Sequence, residues 1–388
     1  AQRDALEQAV LAADEIARHA APVAYTRTFR AIAPQPDDVA GFDPALCGLA
    51  PDLMLQFMND AVHGIESDVI QLSGMFACGG ILQGVANTLS DTVLLHAASD
   101  ANVSVVLSHA QERWEIEATQ SATHVSELDA ARLHADLSLL LEQYRAAAPV
   151  QVAPGTYDVV FGAGALAALL NMCAWIGFSG GNCKRQLTFL KESDLGRRVF
   201  NEQVSVCDDP RARATFPYAF DAHGTPRAPF ALIERGVFKA FMWPRDDADE
   251  FGARETGHSV PAISLVMQAG TGRVRTLSDV LRLPLRKDTL FIPHLHYMNV
   301  VNETEGIVTC CSRFGALLLR ANGSIAVPYN LRVTEKLENI FDNIAWLSDT
   351  TTAVNTSNTY GTRNPTAVVL PAFGQVRDVN IPHTNSSF

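Results

Sequence analysis

Basic residues are scarce in this chain of 388 residues: 30 Lys and Arg stand against 42 Asp and Glu, a formal net charge of −12. No dense Lys/Arg run offsets that balance locally, so polyanions are repelled on average, and neither nucleic acid nor an anionic membrane is an expected partner. Long apolar runs are missing too. None reaches the roughly 18 to 20 residues of a membrane span, and the opening AQRDALEQAVLAADEIARHA reads as an amphipathic helix bearing acids, not a signal peptide. A cytoplasmic location is expected. The seven cysteines are odd in number, scattered and without a CxxC pair, which argues against a disulfide framework and a thiolate zinc knuckle. The chain has no HExxH, no GxSxG and no Walker loop. Gly162-Ala163-Gly164 follows a strand and precedes a helix, but it lacks the third glycine of a dinucleotide fingerprint.

What is present is the composition of a folded protein, 47% apolar and 19% charged, in a chain long enough for two domains. After the opening helix (Asp4 to His19), VAYTRTFRAI alternates as a strand. VSVVLSH and ERWEIEATQ read as antiparallel strands with one wet side, and SELDAARLHADLSLLLEQYRAAAP is a helix opened by Ser126 and Asp129 in capping-box spacing. PVQVAPGT marks the expected boundary between an N-terminal domain (1–150) and a C-terminal one (151–388). The second half reads as a short strand (YDVVFG), an apolar helix (Ala163 to Phe178) and many strands, with hairpin tips at Glu234-Arg235-Gly236 and Ala321-Asn322-Gly323. The Thr-, Asn- and Ser-rich tail after Ser348 reads as partly loop. The fold class is α+β: an N-terminal part with antiparallel strands and a long helix, then a β-rich C-terminal domain.

The stretch FIPHLHYMNVV puts His294, His296 and Met298 at every second position of a strand. Side chains at such positions of a strand point to one face. Two imidazoles so placed can converge on one ion with bonds of about 2 Å, and the thioether favours copper over a hard cation. If the NETEG turn closes a hairpin, Cys310 returns roughly opposite Met298. The alternative is that the histidines line a wet sheet face or a subunit contact while Met298 and the cysteines fill a core. His258 in ARETGHSVP reads as a turn residue, and Asp208-Asp209-Pro210 as the start of a turn rather than a carboxylate pair.

Taken in order, SVCDDPRARATFPYAFDAHGTPRAPFALIERGVFKAFMW, ARETGHS, RANGSIAVPYNLRVTEKLENIFDNI and NPTAVVLPAF resemble the TldD/PmbA family of two-subunit metalloproteases, over most of 155–372. The resemblance implies two kinds of subunit: TldD carries a zinc helix, HExxxH, and a strand cysteine, whereas PmbA (TldE) lacks the helix motif and completes the complex. The corresponding helix here reads LLNMCAWIGFSGG, so Asn171, Met172 and Ile176 stand where the first His, the Glu and the second His would be. The implied identity is a PmbA/TldE-like subunit, with a TldD-like partner in a heterodimer or larger assembly acting on unfolded or modified peptides. The resemblance also brings His296 close to the strand-cysteine position and sets His258 where an Asn is expected. A metal, copper or zinc, would then sit in this chain on His294, His296 and Met298 (with His258 and Cys310 as further candidates), or in the partner. The departures admit two other readings: a subunit of a metal-dependent redox tailoring enzyme acting on a small molecule or natural product, and a structural or binding subunit without chemistry of its own.

Overall fold

The computed structural model describes all residues except 1, 66, 261–262 and 358–364. The first part runs α1 (Gln2–His19), β1 (Asp38–Gly41), α2 (Pro44–Cys47), α3 (Pro51–Val62), β2 (Ile70–Ala86), β3 (Val93–His109), β4 (Glu115–Ala122) and α4 (Ala130–Ala146). Strand β3 is central, pairing with β2 along its whole length and with β4 and β1 on its other side. The antiparallel reading of β3 and β4 is what the structure shows.

Two expectations fail here. VAYTRTFRAI forms no strand; it is held by side chains, with Thr28 donating its amide to Asp249 at 2.6 Å and Arg27 pairing with Asp246 at 3.1 Å. Those carboxylates satisfy groups that a sheet edge would otherwise have taken. Ser126 does not cap the long helix either. Asp129 does, accepting from the Arg132 amide at 3.0 Å, while Ser126 lies in a short turn boxed by His124 and Glu127.

Beyond α4 the chain adds β5 (Pro149–Val150), β6 (Gly155–Gly162), α5 (Ala163–Gly177) and α6 (Gly180–Lys184). Next come β7 (Val206–Asp208), β8 (Phe230–Glu234), β9 (Val237–Phe238), α7 (Arg245–Phe251) and β10 (Leu265–Met267). The segment β11 (Thr289–Ile292), β12 (His294–Asn302), β13 (Ile307–Arg313), β14 (Leu317–Leu319), β15 (Ile325–Pro328) and β16 (Leu331–Lys336) is nearly continuous strand. The last strands are β17 (Ile344–Leu347), β18 (Thr351–Asn355), β19 (Ala367–Pro371), β20 (Phe373–Ile381) and β21 (His383–Thr384). The tail expected to be partly loop is strand over much of its described length, with non-strand residues at 349–350, 356–357, 365–366 and 385–388, and part of it (358–364) lies outside the described residues.

Three sheets result: β17-β20-β6-β11-β14-β15-β5, β18-β19-β10-β7-β8-β9 and β12-β13-β16-β21. The first is covered on both sides. Val159 and Phe161 of β6 join α5 in one hydrophobic cluster, whereas Val160 faces the other cluster with Leu133 and Leu137 of α4. Burial on both faces is why VVF in β6 and LFI in β11 are unbroken apolar runs. The second cluster also contains Val103 and Trp114 from the first part of the chain, and β5, in the expected boundary, pairs in parallel with β15. Both hairpin tips form. At the first, Arg235 and Gly236 have φ of 46° and 77°, the two positive angles of a two-residue turn suited to strand twist.

Candidate functional site

Helix α5 begins at Gly162, which supplies no side-chain cap. The Ala165 amide donates instead to the Pro293 carbonyl at 2.9 Å, tying the helix start to the junction of β11 and β12. Close approach explains the glycines weighed above for nucleotide binding: a Cβ on Gly162 would lie 3.0 Å from Pro293 Cα, and one on Gly164 only 2.4 Å from His294 Nδ1. The His294 ring therefore occupies the first turn of α5. Burial there holds its pKa below the usual imidazole value, partly opposed by Glu117, whose Oε2 is 3.9 Å from Nδ1.

His296 pairs with Cys311 across the β12–β13 ladder and lines a separate cavity of 370 Å³ with Glu115, Tyr297 and Arg313. Burial, then the Arg313 charge, lowers its pKa. The strand does not continue in step. Tyr297 has φ of +50°, and the register skips between His296 and Asn299, so Tyr297 and Met298 together oppose Cys310 in a bulge. The hairpin register expected for Cys310 is thereby found, but the shared face is not: Met298 packs with Leu295 and Val300 against the core. Cys310 is fully buried and its thiol is pushed up to about 12, burial being the main cause.

His258 lies elsewhere, buried beside Asp208. Asp208 is not the turn residue expected. It ends β7 and accepts from Arg227 Nη2 at 2.7 and 2.6 Å and from the Ser264 amide at 2.6 Å. Its neighbour Asp209 makes the turn, accepting from the Arg211 amide at 3.0 Å. His258 Nε2 is 3.2 Å from the Asp208 carboxylate, off the line of a good hydrogen bond, while its Nδ1 meets Thr256 Oγ1 at 2.8 Å. Burial opposes the Asp208 charge, but His258 and Arg227 overcome it and hold the carboxyl below its ordinary range.

Asn171, Met172 and Ile176 all lie on α5; Ile176 is buried and Met172 packs on the core. Among the described residues, no three His, Cys, Asp or Glu side chains come together as a metal-holding group. The donor set His294, His296 and Met298 does not fit one ion, because the bulge at Tyr297 turns the thioether away from the imidazoles.

What α5 does border is a cleft of 580 Å³, lined by its first turn, His294, Glu117 of β4, Arg132 and Asp136 of α4, and Thr350 to Val354. Asp136 is pushed up by burial, with Arg132 opposing, and Thr350 Oγ1 is buried without a hydrogen-bond partner among the described residues. A second cavity of 220 Å³ shares Thr119, Arg132, Thr352 and Ala353 with it, so one trough runs between β4 and β18. Among the described residues both are terminal strands of their sheets. Sequence reasoning missed Glu117, Asp136 and Thr350. Their only local signal is a polar residue interrupting or flanking an apolar periodic run.

The family model described as "PmbA/TldA metallopeptidase C-terminal domain" matches residues 154–378. The chain belongs to the TldD/PmbA family. The fold of TldE from Thermococcus kodakarensis covers 98% of this chain and 85% of its own, with a TM-score of 0.77 and 16% identity. A Methanothermobacter thermautotrophicus metalloprotease is 32% identical over 72 residues, 19% of this chain and 16% of its own length. The metalloprotease TldD homolog of Buchnera aphidicola is 30% identical over 105 residues, 27% of this chain and 22% of that protein. The similarity to these two relatives thus spans less than a quarter of their length. No helix among the described residues is long and apolar enough to cross a membrane.

Proposed function

We propose that this chain is the PmbA/TldE-like subunit of a heteromeric TldD/PmbA-type metalloprotease acting on unfolded or modified peptides in the cytoplasm. The observation that carries the reading is helix α5, which bears Asn171, Met172 and Ile176, the residues that the resemblance to the family sets at the positions of the zinc motif. A metal-activated water with a Glu base must then come from a TldD-like partner bearing HExxxH. The trough between β4 and β18 supports the peptide part of the reading, because terminal strands can hydrogen-bond an extended backbone regardless of its sequence. The copper-tailoring reading needs His294, His296 and Met298 on one ion, and the bulge gives it no support.

The test is co-expression with an HExxxH-bearing partner, followed by elemental analysis per chain and peptidase assays on unfolded peptides. Zinc only in the partner, with activity requiring both chains, is expected. Near-stoichiometric zinc or copper in this chain alone, lost on His296→Ala, would overturn the proposal.

A further inference from the structure

Strand β2, IQLSGMFACGGILQGVA, spans 17 residues without one charge or proline. It pairs with β3 from Ile70 to Ala86 without a register shift. On its other side it pairs with no strand among the described residues. Natural edge strands are usually kept short, bulged or charged, because a long flat edge is a template for another strand. This one has none of those protections, and Leu72 and Leu82 are 45% and 73% exposed along it.

Two hydrogen bonds fix the direction of its backbone groups. The Ala110 amide donates to the Val69 carbonyl at 2.9 Å, and the Ile70 amide turns away to Ser67 at 3.1 Å. With the alternation of an antiparallel ladder, odd-numbered residues of β2 address β3, and even-numbered ones from Leu72 to Ala86 present N–H and C=O outward.

We propose that β2 pairs edge to edge and antiparallel with β2 of a second copy of this chain, about a two-fold axis at Cys78. In that register the large residues meet small ones: Phe76 opposite Gly80, Leu82 opposite Gly74, Leu72 opposite Gly84. Ser73 lies opposite Gln83, so the two polar side chains meet each other. No charge on either strand opposes its copy, although the chains as a whole repel. Gly74 and Gly80 are also required within the chain, where a Cβ would meet Ser104 O at 2.5 Å and Cys47 Sγ at 2.6 Å. Gly84 is not: its nearest atom, Leu95 Cδ2, is 3.5 Å away. Its smallness is used only if Leu72 of a partner lies across from it. The contact is isologous, as a two-fold dimer requires, and joins two four-stranded sheets into one.

The proposal is independent of the protease reading and is tested on the isolated full chain by light scattering. The expected result is twice the chain mass, falling to a monomer in Leu72→Lys/Leu82→Lys, two exposed sites where a lysine blocks strand addition, with the melting temperature unchanged. In a Cys78→Ser background, needed because the axis sets Cys78 opposite its own copy, a Ser73→Cys/Gln83→Cys chain should form an interchain disulfide under mild oxidation that neither single variant nor the Cys78→Ser parent forms; the two sites, ten residues apart on one strand, cannot reach each other within a chain. A wild-type monomer, or a dimer indifferent to the lysines and not cross-linked, overturns it. If the wild type is monomeric and the lysines instead abolish capture of an HExxxH-bearing partner, the edge belongs to that partner and self-pairing falls.

Discussion

The imidazole of His294 occupies the space a side chain on Gly164 would need, its Nδ1 2.4 Å from the position of that Cβ. Gly164→Ala must therefore displace either the ring or the first turn of α5, and overpacking of this kind costs about 1–3 kcal/mol. Urea denaturation should show that loss. Combined with His294→Ala, the second change should cost markedly less than it does alone, since the clash is gone; additive losses would show that the two residues do not touch.

Because His294 titrates below its ordinary value of 6.5, the unfolded chain takes up its proton first as pH falls. The folded state therefore loses stability from about pH 7 downward until the folded pKa is reached, and loses no more below it. In His294→Gln that component disappears. Comparing unfolding free energy at pH 7.5 and 5.5 should give a smaller difference in the variant than in the wild type; an unchanged difference would place the titrating group elsewhere.

Met298 packs on the core whereas His296 is largely exposed on the opposite face of the strand. Met298→Ala should lower stability by about 2 kcal/mol or more through the cavity it leaves. His296→Ala should stay within about 0.5 kcal/mol. Thermal melts in the presence and absence of added copper or zinc check both the order and the cause, since a ligand role for Met298 would make its loss metal-dependent.

Asp208 and Arg227 form a pair in which both side chains are 1% exposed. Asp208→Asn leaves a buried guanidinium without its counter-charge and should cost about 3–5 kcal/mol, part of it recovered by adding Arg227→Met. Since the Asp208 carboxyl is held below its ordinary 3.8, its contribution is present above about pH 4 and fades as pH falls through the lower folded value. Acid unfolding curves of wild type and variant should converge there.

Local pattern was enough for much of this protein. Alternation and apolar period reveal β3, β4, α4, α5 and the two hairpin tips, because each is decided by which face of a single element is buried. That α5 carries Asn171, Met172 and Ile176 rather than ligating side chains is a property of side-chain identity, and it too is legible in one dimension. The His-x-His-x-Met pattern misled because period-two reasoning assumes an unbroken strand. One residue at positive φ, Tyr297, moves Met298 to the other face, and nothing in the local sequence announces it. The pairing of Asp208 with Arg227 and His258, the seating of His294 in the first turn of α5, and the trough between β4 and β18 were decided only by tertiary structure. Their partners lie tens to hundreds of residues apart, so the contacts exist only once separate sheets and helices are packed against one another.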